Sequence, residues 1–346
     1  MIAKCRSLGV GLRPHMKTLK AIEAARVAVD PAHGGIAVST LAEADYFARA
    51  GIGDIQYAVC ITPDKMARAA EIAGIARGFS AFLDSVEVAS SLAGAPFAAW
   101  IEIESGGRRT GVLPDDPKLL EIAAVLREGG VALAGVATHG GHSYGARSVA
   151  EMVAVAEEER AAVVAAAERL RAAGFAVPGV SAGSSPTALH MARSDGLTEL
   201  RAGVYMAGDL FQSGIHSLAE EEIAVSVLAS VIAHRPDLNQ IVVDAGGLAL
   251  SKDRSTAALE GGDLGYGVVL DVEGTPSLGR LIVAGVHQEH GEIRGEAPLP
   301  FDRLPIGARV RILPNHVCMT AAIHDHYLVV DGGSEIVARW DKIVGW

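Results

Sequence analysis

The sequence predicts an α/β protein in which a (β/α)8 TIM-type barrel, residues 1–218, precedes a mostly antiparallel β-domain, residues 219–346. Two observations predict this order. Before about Leu218, short apolar runs alternate with longer segments whose apolar residues recur every three or four positions. After Leu218 this helical spacing disappears, and strand-like runs are separated by turn residues such as those at 331–333.

The barrel strands are predicted from apolar runs that have the length of buried strands. These runs cover residues 9–17, 35–39, 54–60, 79–83, 97–104, 132–138, 177–182 and 199–205. Between them, amphipathic helices are predicted, most clearly over residues 41–50, 63–75, 116–127 and 150–173. In a closed parallel barrel of this kind, functional residues lie at the C-terminal ends of the strands.

The second domain is predicted from strand-like runs without helical segments between them. The runs cover residues 222–234, 240–244, 266–272, 280–288, 308–313, 327–330 and 335–339. Turn residues separate these runs, and we interpret the domain as mostly antiparallel.

Composition excludes several classes of partner. The net charge of −11 and the pI of about 5.5 argue against binding to nucleic acid or to an anionic membrane surface. Three cysteines give no disulfide framework and favour the reducing cytoplasm. We therefore expect a cytoplasmic protein that binds neither nucleic acid nor a membrane.

The first predicted strand carries an unusual concentration of cations. Strand alternation places Val10, Leu12, Pro14 and Met16 on one face, and Gly11, Arg13, His15 and Lys17 on the other. Cations so close together lower the pKa of a lysine, and such a lysine is a good nucleophile toward a carbonyl group. The alternative is a surface strand with a solvated basic face.

The segment RPHMKT, residues 13–18, resembles the lysine segment of the D-threonine aldolase/D-serine dehydratase family, whose members are fold type III pyridoxal-phosphate (PLP) enzymes with an alanine-racemase-like barrel. The resemblance implies that Lys17 holds PLP as a Schiff base beside His15, and that the protein is a homodimer. It also implies that a strand and most of a helix are missing ahead of Gly9. The chain departs from the family at Leu19, where a second histidine is common.

Further motifs follow the fifth and sixth predicted strands. Glu102 and Glu104 are expected on one face of the fifth strand, and the turn after them resembles a family segment that places Arg109 near the cofactor ring. A basic loop on the barrel rim is the alternative. After the sixth strand, the histidine-glycine segment 138–144 resembles a family segment close to the cofactor. It implies that His139, and less strongly His142, is an active-site residue.

The last two barrel strands end in small residues that suit a phosphate site. Here the resemblance implies that the phosphate is held by Gly183, Ser184, Gly203 and Val204. Arg201 is the candidate partner of the ring nitrogen, and Tyr205 and Asp209 are expected to line the pocket.

Near the C-terminus, His316 and Cys318 are predicted to face the same way on a strand and to bind one divalent metal ion. The thiolate favours zinc, with manganese or magnesium as alternatives. A buried cysteine beside an incidental histidine is the other interpretation. The resemblance implies a metal pair at this spacing, and cysteine rather than aspartate at the second position favours the dehydratases.

The sequence therefore predicts a PLP- and metal-dependent lyase acting on D-3-hydroxy amino acids. Dehydration of the D-serine type, giving a 2-oxo acid and ammonia, is the favoured reaction. Aldolase cleavage to glycine and an aldehyde, with His139 as a base, is the first alternative. An amino-acid racemase and a non-catalytic PLP carrier are less favoured.

Overall fold

The computed structural model describes residues 1–295 and 297–345, which form two compact units, Met1–Gly203 and Val204–Gly345. The sequence places the boundary near Leu218, whereas this division lies before Val204. The physical reason lies in the packing of residues 204–218. Leu210 belongs to an apolar cluster with Val268, Leu270 and Leu313 of the second unit.

The first unit alternates strands and helices along the chain. Its strands are β1 (Gly11–Pro14), β2 (Ile36–Val38), β3 (Ile55–Cys60), β4 (Ser80–Leu83), β5 (Ala98–Glu102), β6 (Leu133–Ala137), β7 (Gly179–Ala182) and β8 (Glu199–Ala202). Its helices are α1 (Ile2–Ser7), α2 (Ile22–Ala28), α3 (Leu41–Arg49), α4 (Met66–Ala73), α5 (Val86–Ser91), α6 (Lys118–Glu128), α7 (Val149–Ala172) and α8 (Ser185–His190).

The strands of this unit form a parallel sheet in the order β1-β8-β7-β6-β5-β4-β3-β2. An isolated bridge between His15 and Ala37 joins the two outer strands, β1 and β2. The Met16 N–H also donates to the Ala37 carbonyl at 2.8 Å, so the sheet nearly closes on itself. The predicted TIM-type barrel is confirmed, and the strand alternation ends after His15, because Lys17 lies in a turn.

A buried ionic network lies at the start of β1 and β8. The Arg13 guanidinium donates to both Glu199 carboxylate oxygens, at 3.0 and 2.9 Å, and to both oxygens of Asp54, at 2.9 and 3.0 Å. Ser181 donates its hydroxyl proton to Glu199 at 2.6 Å. Burial raises the pKa of Glu199, but Arg13 and the other donors outweigh it and lower that pKa to about 2.

We expect Arg13→Met to lower the free energy of unfolding by about 3–5 kcal/mol, because Glu199 would keep its charge in a buried site without its main partner. The effect depends on pH. Since the folded-state pKa of Glu199 is depressed, its stabilisation is present above its unfolded value of about 4.3 and is lost as the pH falls toward 2. Denaturant titrations of both proteins at neutral and acid pH measure this difference.

Arg193→Met is the matched control for this prediction. Arg193 is 57% exposed and pairs with Glu157, which is 42% exposed, so its removal should cost only about 0–1 kcal/mol. An equal loss of stability in the two variants would show that the buried network does not stabilise the barrel as proposed.

The second unit is dominated by antiparallel strands. They are β9 (Val227–Arg235), β10 (Gln240–Val243), β11 (Gly267–Leu270), β12 (Leu281–Val286), β13 (Gly291–Arg294), β14 (Arg309–Pro314), β15 (His326–Val330) and β16 (Ile336–Asp341). The helices are α9 (Leu210–Gly214), α10 (Gly247–Leu250) and α11 (Val317–Ala321).

Strands β9 to β14 close into an antiparallel barrel in the order β10-β13-β12-β11-β14-β9, and β15 pairs with β16 in a separate hairpin. The antiparallel domain is thereby confirmed. The sequence analysis missed β13, because its four residues contain one large apolar side chain, Ile293. Of the helices in the described part of the chain, none has both the length and the hydropathy needed to cross a membrane.

Candidate active site

The segment after β1 forms the centre of a cationic cluster in the first unit. Strand β1 ends at Pro14, so His15 lies in the bridge to β2 and the exposed Lys17 lies in the following turn. The Nδ1 atom of His15 accepts the Lys17 N–H at 3.4 Å. Burial lowers the pKa of His15 well below its usual value, and the positive charges of Lys17, Arg201 and Arg109 act in the same direction. His139 is a further neighbour of this imidazole.

The prediction that Arg13 contributes a positive charge beside Lys17 is wrong. Arg13 was expected to crowd Lys17, but its guanidinium is neutralised by Glu199 and Asp54 in the buried network. The cations that act on His15 come from other strand ends, with Arg201 on β8 and Arg109 after β5. Arg13 and Arg201 are paired across β1 and β8, but Arg13 donates to Glu199, which lies two residues before Arg201 on β8.

The hydrogen bond of His139 shows which of its ring nitrogens carries the proton. Its Nδ1 atom lies 3.0 Å from the Gly183 carbonyl oxygen. A carbonyl only accepts, so the Nδ1 atom carries the proton and the Nε2 atom is an acceptor. Burial lowers the pKa of His139, and the charges of Lys17 and Arg109 act in the same direction. The pKa falls to about 3 despite the opposing bond to Gly183. His139 is therefore neutral at pH 7.

The turns after β7 and β8 allow a close approach to the backbone. At Gly183, φ is +127°, and an added Cβ would lie 2.4 Å from the Arg201 carbonyl oxygen. At Gly203, an added Cβ would lie 2.7 Å from the His15 carbonyl oxygen. Only glycine fits these two positions. Ser184 caps α8 through a capping box with Thr187.

Arg201 is buried between the strand ends. Its guanidinium donates to the Ser181 hydroxyl and to the Thr138 carbonyl, and it lies 5.2 Å from the centre of the Phe82 ring. The cations and the two glycine turns together form a cradle that suits an anionic, phosphate-bearing cofactor such as PLP. Lys17 supplies an amine at the same strand ends.

Val204 and Tyr205 belong to the second unit. The sequence analysis extended the last barrel strand to Tyr205, but β8 ends at Ala202, and both residues lie in a 3-10 turn, Val204–Met206. Gly203 lies between the end of β8 and this turn, and the strand alternation ends there. Val204 is buried and Tyr205 is half-buried.

The turn after β5 differs from the expectation. Strand β5 ends at Glu102, so Glu104 does not share a strand face with it, and Glu104 instead accepts the Gly106 N–H. Glu102 is buried, and one of its oxygens lies 3.6 Å from the guanidinium of the exposed Arg109. His142 contacts Glu158 on α7 at 3.3 Å. Of the two predicted histidines, His139 is a neighbour of His15, whereas His142 lies against Glu158 of α7.

In the second unit, the predicted strand around His316 and Cys318 is wrong. Strand β14 ends at Pro314, His316 is the N-cap residue of α11, and Cys318 lies inside that helix. The two side chains nevertheless hydrogen-bond to each other. Asp209, which caps α9, also accepts the Val317 N–H at 3.0 Å and so fixes the start of α11.

The His316 ring is oriented by Asp253. Its Nδ1 atom lies 2.8 Å from an Asp253 carboxylate oxygen, which leaves the Nε2 atom for a metal ion. Burial lowers the pKa of His316, but Cys318 and Asp253 outweigh it and raise that pKa to about 9. An imidazole and a thiol in contact are a donor set that suits zinc.

Within residues 1–295 and 297–345, no group of three or more His, Cys, Asp or Glu side chains could hold a metal ion. The candidate metal centre is the pair predicted from the sequence, His316 and Cys318. Water or substrate would complete the coordination, as in catalytic rather than structural zinc sites.

Sequence reasoning assigned no role to two acidic residues that hold these groups in place. Asp253 orients His316, and Glu159 on α7 contacts the turns after β6 and β7. Glu159 gives no sequence signal, because it stands in a helix rich in alanine and glutamate. Asp209 was expected to line the pocket, and in the structure it caps α9 and fixes the start of α11.

Two family profiles match the chain. The N-terminal domain of alanine racemase matches residues 2–210, and a serine dehydratase domain matches residues 224–330. The chain is 44% identical to D-threo-3-hydroxyaspartate dehydratase of Delftia sp. (strain HT23), over 98% of this chain and 91% of that protein. It is 28% identical to D-serine dehydratase of Dictyostelium discoideum, over 100% of this chain and 93% of that protein. It is 30% identical to D-threonine aldolase of Arthrobacter sp., over 94% of this chain and 83% of that protein.

Solved structures agree with these matches. The structure of the Delftia dehydratase has a TM-score of 0.92 and 43% identity, and the match covers 99% of this chain and 93% of that one. Two variants of that enzyme are also similar, with TM-scores of 0.93 for a histidine-to-alanine variant and 0.92 for a cysteine-to-alanine variant in the metal-free form. The two substituted residues lie two positions apart in that protein.

Proposed function

Because this chain belongs to the D-threonine aldolase/D-serine dehydratase family of PLP-dependent lyases with the alanine-racemase fold, we propose that it dehydrates D-3-hydroxy amino acids to 2-oxo acids and ammonia. D-threo-3-hydroxyaspartate and D-serine are the first substrates to test, since similar enzymes carry those names. The observation that carries the proposal is the contact between His316 and Cys318.

Lys17 and its neighbours have the roles of holding PLP and moving the substrate's α-proton. Lys17 would attach the cofactor, and its free amine would take the α-proton of the substrate. Gly183, Ser184, Gly203 and Val204 would hold the phosphate, and Arg201 would be the partner of the ring nitrogen. The chemistry that PLP supplies when bound is an electron sink for the carbanion.

Neighbouring side chains would complete the cofactor site. His15 and Arg109 would contact the cofactor, and Tyr205 would line its pocket. The low pKa of His139 keeps its ring neutral, so its Nε2 atom serves as a hydrogen-bond acceptor.

His316 and Cys318 have the role of holding a divalent metal ion, for which zinc is the preferred candidate. Asp253 keeps the His316 ring turned so that its Nε2 atom is the ligand. The chemistry that the metal supplies is that of a Lewis acid, which makes the 3-hydroxyl group a better leaving group. The substituted histidine and cysteine of the similar Delftia enzyme have the same spacing, which supports this assignment.

Two features favour dehydration over aldol cleavage. Cleavage between Cα and Cβ needs a base for the 3-hydroxyl proton, and His139, with a pKa of about 3, is a weak base at neutral pH. Dehydration needs a base only at Cα, where Lys17 serves. The cysteine at position 318 also favours the dehydratase side of the family.

The test is a product assay with D-threo-3-hydroxyaspartate, D-serine and D-threonine, with PLP and zinc present. We expect equal amounts of 2-oxo acid and ammonia, and no turnover of the L-enantiomers. Glycine plus an aldehyde would identify an aldolase. Interconversion of D- and L-enantiomers would identify a racemase. Either outcome would overturn the dehydratase proposal.

A further inference from the structure

Glu159 is a buried carboxylate that joins two of the turns described above. It lies on α7 and is fully buried. Its Oε1 atom accepts the Gly140 N–H at 2.5 Å and the Gly183 N–H at 2.8 Å. Gly140 follows His139 after β6, and Gly183 precedes Ser184 after β7. A single oxygen atom therefore connects the turn that carries His139 with the turn of the phosphate cradle.

The two turns also contact each other directly. The Nδ1 atom of His139 donates to the Gly183 carbonyl, and the hydroxyl groups of Ser143 and Ser184 lie 2.9 Å apart. Glu159 thus holds Gly183 through its N–H, in the peptide that joins Ala182 to Gly183. The next peptide, between Gly183 and Ser184, carries the carbonyl that accepts from His139, so a shift of Gly183 would move that acceptor away from the His139 proton.

A carboxyl group at this position is costly for the fold. Burial raises the pKa of Glu159, although Thr187 and the Gly183 and Gly140 N–H groups act in the opposite direction. Most other buried positions of α7 hold alanine, valine, methionine or leucine, so packing alone does not require an acid here. Burying a carboxyl group away from water destabilises a protein, and this cost is tolerated most readily where the geometry serves a site.

We propose that Glu159 is a positioning residue of the active site, which fixes the Gly140 and Gly183 turns relative to each other and keeps the His139 proton on the Nδ1 atom. The part of this inference that concerns PLP rests on the proposed function, because it assumes that Ser184 and His139 serve the cofactor. The part that concerns the tautomer of His139 does not depend on any activity.

The first experiment compares Glu159→Gln, Glu159→Ala and the control Glu168→Ala, which alters an exposed glutamate on the same helix. Glutamine keeps the Oε1 acceptor, whereas alanine removes it. We expect Glu159→Ala to weaken PLP binding about 10–100-fold and to lower kcat about 100-fold, as for other losses of positioning. For Glu159→Gln, PLP affinity and kcat should stay within about tenfold of the wild-type values. For Glu168→Ala, both should equal the wild-type values.

A second variant displaces the carboxylate without deleting it. An added Cβ at Gly140 would lie 3.1 Å from the Glu159 Cδ and Oε2 atoms, and Gly140 has an ordinary φ of −71°. Gly140→Ala therefore moves the side chain through steric contact at a backbone position that tolerates alanine. We expect weaker PLP binding in the same direction as for Glu159→Ala, so the test still applies if Glu159→Ala fails to fold.

The tautomer is measured by 15N NMR on protein without PLP, with His139 assigned by comparison with His139→Gln. Wild type and Glu159→Gln should show the proton on Nδ1, and Glu159→Ala or Gly140→Ala should shift it toward Nε2. Unchanged PLP affinity and an unchanged tautomer in folded Glu159→Ala or Gly140→Ala would overturn the proposal. A loss in Glu159→Gln equal to that in Glu159→Ala would also overturn it. An inactive wild type with the expected tautomer shift would overturn only the proposed function.

Discussion

Lys17→Ala is expected to remove the visible absorbance of lysine-attached PLP and to lower turnover of D-3-hydroxy amino acids by at least about 10³-fold. The physical reason is that the substitution removes both the amine that attaches the cofactor and the base at Cα. Spectra of the purified protein with added PLP, followed by single-substrate assays, measure the two losses separately.

The control for this prediction is Lys118→Ala. Lys118 is exposed at the start of α6 in the same unit, and its removal should leave both spectrum and turnover unchanged. A visible band that persists in Lys17→Ala and survives dialysis would assign the cofactor to another lysine. In that case the cluster around His15 would have a different purpose.

The fold could be predicted from sequence wherever a periodic pattern was long enough. The alternation of apolar runs with amphipathic helices specified every strand of the first barrel to within a few residues. It failed at the ends of strands, where hydrogen bonding rather than hydropathy decides the boundary. Thus the regular pairing of β1 ends at Pro14, although the His15 N–H still donates to Ala202 of β8, and β13 was missed because four residues show too little alternation.

The candidate site was less predictable, because its contacts join distant parts of the chain. Strand alternation placed Arg13 beside Lys17, but pairing with Glu199, 186 residues later, decides where its charge acts. The sequence analysis predicted that His316 and Cys318 lie together because they share one face of a strand. They do lie together, but at the start of a helix. Glu159 could not be found at all, because its importance lies in two backbone N–H groups that no side-chain pattern records.

Cys318→Ala is expected to reduce bound zinc to a small fraction of one ion per chain and to lower dehydration of D-serine or D-threo-3-hydroxyaspartate by about 10³-fold. A Lewis acid contributes several kcal/mol to the departure of a hydroxyl group, and two protein donors leave little affinity when one is removed. Elemental analysis gives the metal content, and His316→Ala should show the same two losses. Full activity in a variant verified to be metal-free would exclude a metal role.

Met319→Ala is the control for α11, since Met319 is exposed on the same short helix and should be replaceable without loss of metal or turnover. A substrate with a better leaving group then separates Lewis acidity from structural support. Chloride departs from 3-chloro-D-alanine without help from a metal, so Cys318→Ala should retain much of this elimination while losing dehydration. If both reactions fall equally in a folded, PLP-loaded variant, His316 and Cys318 support the structure and the metal does not act on the hydroxyl.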